Sequence, residues 1–182
     1  LVSLYPGHTD NIVALGAGDR IVGVSRSDDP ELLPTVPRLP PKVGAEEILA
    51  LKPDAVFSRS LIERMNPHLS SVLERAGISV YVIDPPSWEG FEGYLLRLAE
   101  ILGTDPEAAR LKLTVSRETI ARNAALAGAK SPKVFLEATS KELHTCAPDS
   151  WAAHLIQLAG GVNAAKNAAP LREGSPLASW GI

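Results

Sequence analysis

Apolar positions along the chain follow an alternation of short runs and helical spacings. Leu1 to Ser25 opens with the run LVSLYP, passes through a helix-like segment closed by Gly16-Ala17-Gly18-Asp19-Arg20, and ends in the β-branched run IVGVS. The same order of strand, turn, helix and strand is written again downstream. Lys52-Pro53-Asp54 introduces AVFS, Leu61 to Ala76 has helical spacing and stops at Gly77, and Ile78 to Ile83 reads as the next strand. Two successive β-α-β units predict parallel strands with helices packed on the sheet.

Local signals set the expected boundaries. Thr9 or Asp10 is placed to cap a first helix, and Gly16 or Gly18 to end it in the left-handed region. Arg26 to Lys42 is dense in proline, which predicts a long surface connection without regular structure. Glu46 to Leu51 is a short helix. Leu69, Val72, Leu73 and Ala76 share one face of the helix after AVFS, and Pro67 either falls near its first turn or kinks it. Asp84-Pro85-Pro86 ends the fourth strand, and Ser87 is placed to cap a helix from Trp88 to Leu102.

Gly103-Thr104-Asp105-Pro106 combines a stop, a cap and a first-turn proline, and Pro106 to Leu126 contains no further Gly or Pro. A helix of that length spans roughly 30 Å, about a domain diameter, and reads as a connector between two lobes. Expected divisions are an N-terminal α/β lobe at 1–104, a connecting helix at 105–128 and a partial second lobe at 129–182. The second lobe shows a strand at Val134 to Glu137 and a helix at Trp151 to Leu158, capped by Asp149 or Ser150 and ended by Gly160-Gly161. No later strand is evident. One strand cannot form a stable sheet, so this lobe reads as incomplete, with its remaining strands expected beyond Ile182. The predicted fold class is α/β: two parallel-sheet lobes joined by one long helix.

Composition narrows the partners. The 182 residues carry a formal net charge of −3, so no basic surface exists to attract phosphates, and nucleic acid is not an expected partner. No apolar run approaches the roughly 20 residues that cross a bilayer. The chain starts without Met and inside a strand pattern, which suggests a lost upstream segment, a targeting one included. Cys146 is the single cysteine; it excludes an internal disulfide and a Cys-based metal cluster and leaves the compartment open.

Ligands of open α/β sheets collect at the carboxyl ends of strands, where loops and helix N-termini present unpaired amides. That rule selects Tyr5 to Thr9, Arg26 to Asp29, Arg59 and Ser60, Pro85 to Trp88, and Leu143 to Cys146. The candidate ligand contacts are Tyr5, His8, Arg26, Ser27, Arg59, Ser60, Pro86, Trp88 and His144. Tyr5 and Trp88 suit the flat face of a chelate or macrocycle, while His8, Arg26, Arg59 and His144 suit acidic ligand groups or a metal. Each has a plainer reading. Tyr5 can instead close the core at a strand end, Trp88 at a helix start is more often a packing residue, and Arg26 and Arg59 can pair with Asp28, Asp29 or Glu63. His68 and His154, placed within helices, read as packing residues. Gly16-x-Gly18 follows a helix, the wrong context for a dinucleotide loop. No phosphate-binding P-loop and no G-x-S-x-G elbow is present, and His144 with Cys146, two residues apart, need not face each other.

Val2-Ser3-Leu4-Tyr5-Pro6, then Leu15 to Val24, then Lys42-Val43-Gly44 with Glu47 to Asp54, resemble the N-terminal lobe of the periplasmic siderophore/cobalamin-type substrate-binding proteins that feed ABC importers. Gly77 to Val80, the long helix and Leu158-Ala159-Gly160-Gly161-Val162-Asn163 extend the resemblance over essentially the whole chain. It implies two lobes joined by a rigid helix, a ligand held between them, an extracytoplasmic location with peripheral, lipid-anchored membrane attachment, and no cofactor or catalysis. The implied ligand is a metal chelate: iron-siderophore, cobalamin or heme. It further implies an acidic residue on each lobe that docks on arginines of the ABC transporter permease; Glu63 is the nearest candidate in the first lobe, and its counterpart falls close to or beyond Ile182. The resemblance also implies further second-lobe strands, which the chain lacks. Other readings stay open: a receptor for a small oxyanion or bare metal ion, a cytoplasmic α/β enzyme using His8 and His144, or an oligomer in which another copy covers the second lobe's edge.

Overall fold

The computed structural model describes residues 1–126, 131–137 and 145–167. The chain divides into two compact units, Leu1–Pro85 with Leu95–Pro106, and Pro86–Tyr94 with Glu107–Ile182. These units cut across the boundaries expected from sequence, because a short segment before residue 95 and nearly all of the long helix group with the second unit.

The first unit is built on a five-stranded parallel sheet. Its strands are β1 (Val2–Ser3), β2 (Gly23–Ser25), β3 (Arg38–Leu39), β4 (Ala55–Ser58) and β5 (Ser79–Val82), in the spatial order β3-β2-β1-β4-β5. Val2 pairs with Gly23 on one side and Val56 on the other, and Ser3 with Val24 and Phe57. Side chains alternate across a strand. Val2 and Val56 therefore share one face, where they join Leu4, Leu39, Val43, Ile48, Ile62, Leu69, Leu73 and Ile78 in a single core cluster. Ser3, Val24 and Phe57 take the other face and are also fully buried. A parallel sheet covered on both faces explains the nearly continuous apolar runs.

The helices of this unit are α1 (Pro6–Ala14), α2 (Ala45–Ala50), α3 (Ser60–Met65), α4 (Leu69–Arg75) and the larger part of α5 (Phe91–Leu102). α1 starts three residues before the expected cap. Pro6 occupies its first turn, where the missing N–H costs nothing, and Tyr5 is the N-cap. The Thr9 hydroxyl instead donates to Ser3 Oγ at 2.8 Å and Tyr5 O at 3.3 Å. Gly16, at φ +84°, ends the helix as expected. The predicted single helix from Leu61 to Ala76 is two. His68 adopts φ +76° ahead of α4 and is exposed, so it does not lie within a helix. Pro67 removes a donor at the same place, and the Asn66 amide donates to Pro41 O at 2.8 Å. The proline-rich connection was expected to lack regular structure, yet it contains β3. Val24 N donates to Pro37 O and Arg26 N to Leu39 O, and an edge strand tolerates neighbouring prolines because its outer N–H groups need no partner. Ser87 is not the cap of α5; its hydroxyl accepts from Gly90 N at 3.1 Å in a turn that delays the helix to Phe91.

The second unit contains α6 (Pro106–Leu126), unbroken over its 21 residues, and α7 (Trp151–Leu158), whose N-cap Ser150 accepts from Ala153 N at 3.2 Å. β6 (Lys133–Val134) is shorter than predicted and pairs in parallel with β7 (Val162–Asn163), a strand the periodicity did not reveal. Two residues are too few for an alternation to register. Asn163 anchors the pair from inside: it is buried, and its Oδ1 accepts from Ala165 N at 2.9 Å.

Leu73 lies at the centre of the first unit's core and is fully buried. Leu73→Ala is expected to lower unfolding free energy by about 2–5 kcal/mol, measured by urea titration.

Candidate functional site

The order β3-β2-β1-β4-β5 reverses direction at its middle. From β1 the chain moves outward to β2, whereas from β4 it moves outward to β5 on the opposite side. Segments leaving the carboxyl ends of β1 and β4 therefore diverge, and the gap between them is the position where open α/β sheets receive ligands.

Tyr5 and Arg59 stand at that gap. Both are extended N-cap residues, Tyr5 of α1 and Arg59 of α3. The Arg59 guanidinium carbon lies 4.8 Å from the centre of the Tyr5 ring, a cation–π contact that holds the charge in place. Gly7 makes room for this arrangement. A Cβ at that position would come within 2.6 Å of Tyr5 Cε1, so only glycine lets the ring fold back on the first turn of α1. Beside the pair, Asp84 accepts from Ser60 N at 3.0 Å and from Ser60 Oγ at 2.5 Å. The Ser60 hydroxyl, then its amide and the charges of Arg59 and Arg64, hold the Asp84 carboxyl below its usual range against a smaller burial effect. Asp84 was not anticipated from sequence; its position at the end of a strand was the available signal.

His8, expected to donate to a ligand, is only 1% exposed. Its Nε2 stands 3.2 Å from Ser58 O and 2.9 Å from Ile83 O, and its ring meets Tyr5 edge-on at 5.1 Å. Burial pushes its pKa below the ordinary histidine value, opposed by those two carbonyls. The side chain belongs to the interior, where the helix start places it against two strand ends.

Arg26 and Ser27 are exposed on the loop after β2. The next residue, Asp28, is 5% exposed, and neither of its carboxylate oxygens has a hydrogen-bond partner of good geometry. Arg38 gives its guanidinium to the Asp28 and Asp29 carbonyl oxygens, at 2.7 and 2.9 Å. Burial, reinforced by the Asp10 charge, raises the Asp28 pKa; the Thr9 hydroxyl, the Ser25 amide and Arg38 offset this only in part.

Glu63, expected as a docking acid, is engaged inside the first unit. Its two oxygens accept from Ser58 Oγ at 3.0 Å and Ser70 Oγ at 2.6 Å, joining the end of β4 to α4. Trp88 and Pro86 lie in the second unit and are used there. Trp88 stacks on His154 at 5.1 Å and meets Trp151 edge-on at 5.0 Å, and Pro86 O accepts from Trp151 Nε1 at 2.8 Å. His144 lies outside the described residues. Among the described residues no group of three or more His, Cys, Asp or Glu could hold a metal ion. A cavity of about 470 Å³ opens near Arg20, Lys52, Asp54 and Tyr81, at the amino ends of the strands and away from the Tyr5–Arg59 pair.

The profile of the family described as periplasmic binding protein matches residues 1–181. The chain belongs to this family. Family membership accounts for the α/β fold with parallel sheets and for an extracytoplasmic setting. Among relatives, the ABC transporter substrate-binding lipoprotein YvrC of Bacillus subtilis (strain 168) is 24% identical over 172 residues, 91% of this chain and 55% of that protein. A vitamin B12-binding protein of Yersinia pestis (strain Pestoides F) is 28% identical over 173 residues, 90% of this chain and 59% of that protein. A crystal structure of a periplasmic heme binding protein from Pseudomonas aeruginosa superposes with a TM-score of 0.70 at 27% identity, over 89% of this chain and 61% of that one. The chain thus spans 55–59% of the length of these two curated relatives. Among the described residues no helix is long and apolar enough to cross a membrane.

The buried Asp28 of this periplasmic binding protein sets a pH dependence. Its folded pKa is raised, so the folded chain holds the proton more tightly than the unfolded one, and stability falls as pH climbs from the usual carboxylate range through the raised value. Asp28→Asn removes this loss. Thermal melts at pH 4 and pH 7 should show the variant gaining about 2–4 °C on the parent between the two, the response of a chain this size to about 1 kcal/mol; equal shifts at both pH values would refute the assignment.

Proposed function

We propose that this chain acts as the substrate-binding component of an ABC importer, capturing a metal chelate of the class of heme, cobalamin or a ferric siderophore and delivering it to a membrane permease. The observation that carries this reading is the Arg59 guanidinium held over the Tyr5 ring at the reversal point of the sheet. An aromatic face beside fixed cationic donors suits a flat chelate bearing acidic groups. Arg26, exposed on the neighbouring loop, adds a second cation to the same edge. Heme carries two carboxylates and fits that pair of arginines better than cobalamin, whose corrin periphery carries amides. Relatives named for vitamin B12 and heme binding support the chelate class, and a relative named as an ABC transporter lipoprotein supports the importer and its lipid anchor.

A non-enzymatic role agrees with relatives named as binding proteins. The rival enzyme reading needs His8 and His144 as acid, base or metal ligands; His8, at 1% exposure, is turned away from solvent, and His144 lies outside the described residues. The permease contact stays without an assigned acid, since the Glu63 carboxylate is already engaged by Ser58 and Ser70.

Titration calorimetry against hemin, cyanocobalamin, a ferric siderophore, molybdate and divalent metals tests the proposal. Saturable one-to-one binding of one chelate is expected. Arg59→Ala should weaken it about tenfold or more, the worth of a charge-assisted hydrogen bond. If the protein binds none of these chelates, the proposal fails.

A further inference from the structure

We propose that His8 is a positioning residue, whose Nε2–H ties the ends of β4 and β5 together so that Tyr5, Arg59 and the Ser60–Asp84 pair form one rigid ligand platform. This inference rests on the reading of the Tyr5–Arg59 pair as the ligand site.

The geometry dictates the proton. Nε2 lies 3.2 Å from Ser58 O and 2.9 Å from Ile83 O, and both partners are carbonyls that can only accept. A bare Nε2 would set its lone pair against two others, so this nitrogen carries the hydrogen. Ser58 O also receives Ile83 N at 2.9 Å, the last rung of the β4–β5 ladder. The imidazole therefore closes the point where that ladder stops, reaching from the third helical position of α1.

Each atom it holds is one residue from the platform. Ser58 precedes Arg59 and Ser60, and Ile83 precedes Asp84. Ser60 and Asp84 are joined by two hydrogen bonds. The Tyr5 ring rests edge-on against the imidazole at 5.1 Å and beneath Arg59 at 4.8 Å. A ring of contacts thus runs from Tyr5 through His8 to both strand ends and back through Arg59, with His8 the member that touches three segments. Arg59 and Asp84 are the charged groups whose fields reach the imidazole, with opposite effects, and burial outweighs both in disfavouring its charged form. The device needs no charge, only a donor at the Nε2 position.

Two variants separate donor from shape: His8→Gln keeps an N–H near the Nε2 position, and His8→Phe keeps a ring without a donor. In the ligand-free chain, long-range ¹H–¹⁵N spectra should show His8 protonated at Nε2, and Arg59 Nε–H should be shifted upfield by the Tyr5 ring current. That shift should persist in His8→Gln and collapse in His8→Phe. Hemin affinity, read by absorbance titration, should follow: within about threefold of the parent for Gln and at least about tenfold weaker for Phe, the worth of one hydrogen bond. A bare Nε2 overturns the proposal, as does an Arg59 shift that survives in His8→Phe or is lost equally in both variants. Because the spectra need no ligand, a parent chain that ignores hemin would count against the heme assignment while His8 is still judged by its tautomer and the Arg59 shift.

Discussion

The parallel pairing of β1 with β2 on one side and β4 on the other is the constraint on which the first unit depends. It places the first and the second β-α-β units back to back, so the chain departs in opposite directions from two adjacent strand ends. Tyr5 and Arg59 are 54 positions apart in sequence and meet only because those two strands are neighbours. Register is held firmly there. Val2, Ser3, Val56 and Phe57 are fully buried, and a slip of one residue would exchange the two faces of the sheet.

Charge at the carboxyl edge is sorted by the same geometry. Asp84 is satisfied by Ser60, and Glu63 by Ser58 and Ser70. Arg38 is turned to the carbonyls of the Asp28–Asp29 loop. The carboxylates are thus engaged by hydroxyls and amides of their own unit, leaving the arginines of the strand-end loops to set the sign of the surface that a ligand would meet. Asp28 is the exception, a buried carboxylate with no good donor, and it makes this loop the part of the edge most sensitive to pH.

Much of this was legible in the residues and some was not. Tyr5 and Arg59 could be named because they follow strands, and strand ends were visible as apolar runs broken by polar residues. His8 follows the same strand and was misread as a ligand donor. Whether a polar side chain five residues past a strand points outward or inward depends on where the helix begins, and Pro6 starts that helix earlier than the hydroxyl and carboxyl caps suggest. The surroundings of Glu63 and Trp88 are hidden for a related reason: each finds partners, Ser58 and Ser70 or Trp151 and His154, whose proximity no local pattern encodes. β3 and β7 are two-residue strands whose existence comes from a neighbour's free backbone groups and not from alternation of their own.

By itself the sequence determined the α/β class, the parallel strands and the extent of α6, because apolar periodicity, glycine stops and proline starts act within a few residues and report on local burial and backbone freedom. Only the tertiary structure decided the strand order, the joining of Tyr5 to Arg59, and the burial of His8 and Asp28. Those outcomes depend on which surfaces close against each other, and hydrogen bonds between residues 50 or 75 positions apart leave no trace in local spacing.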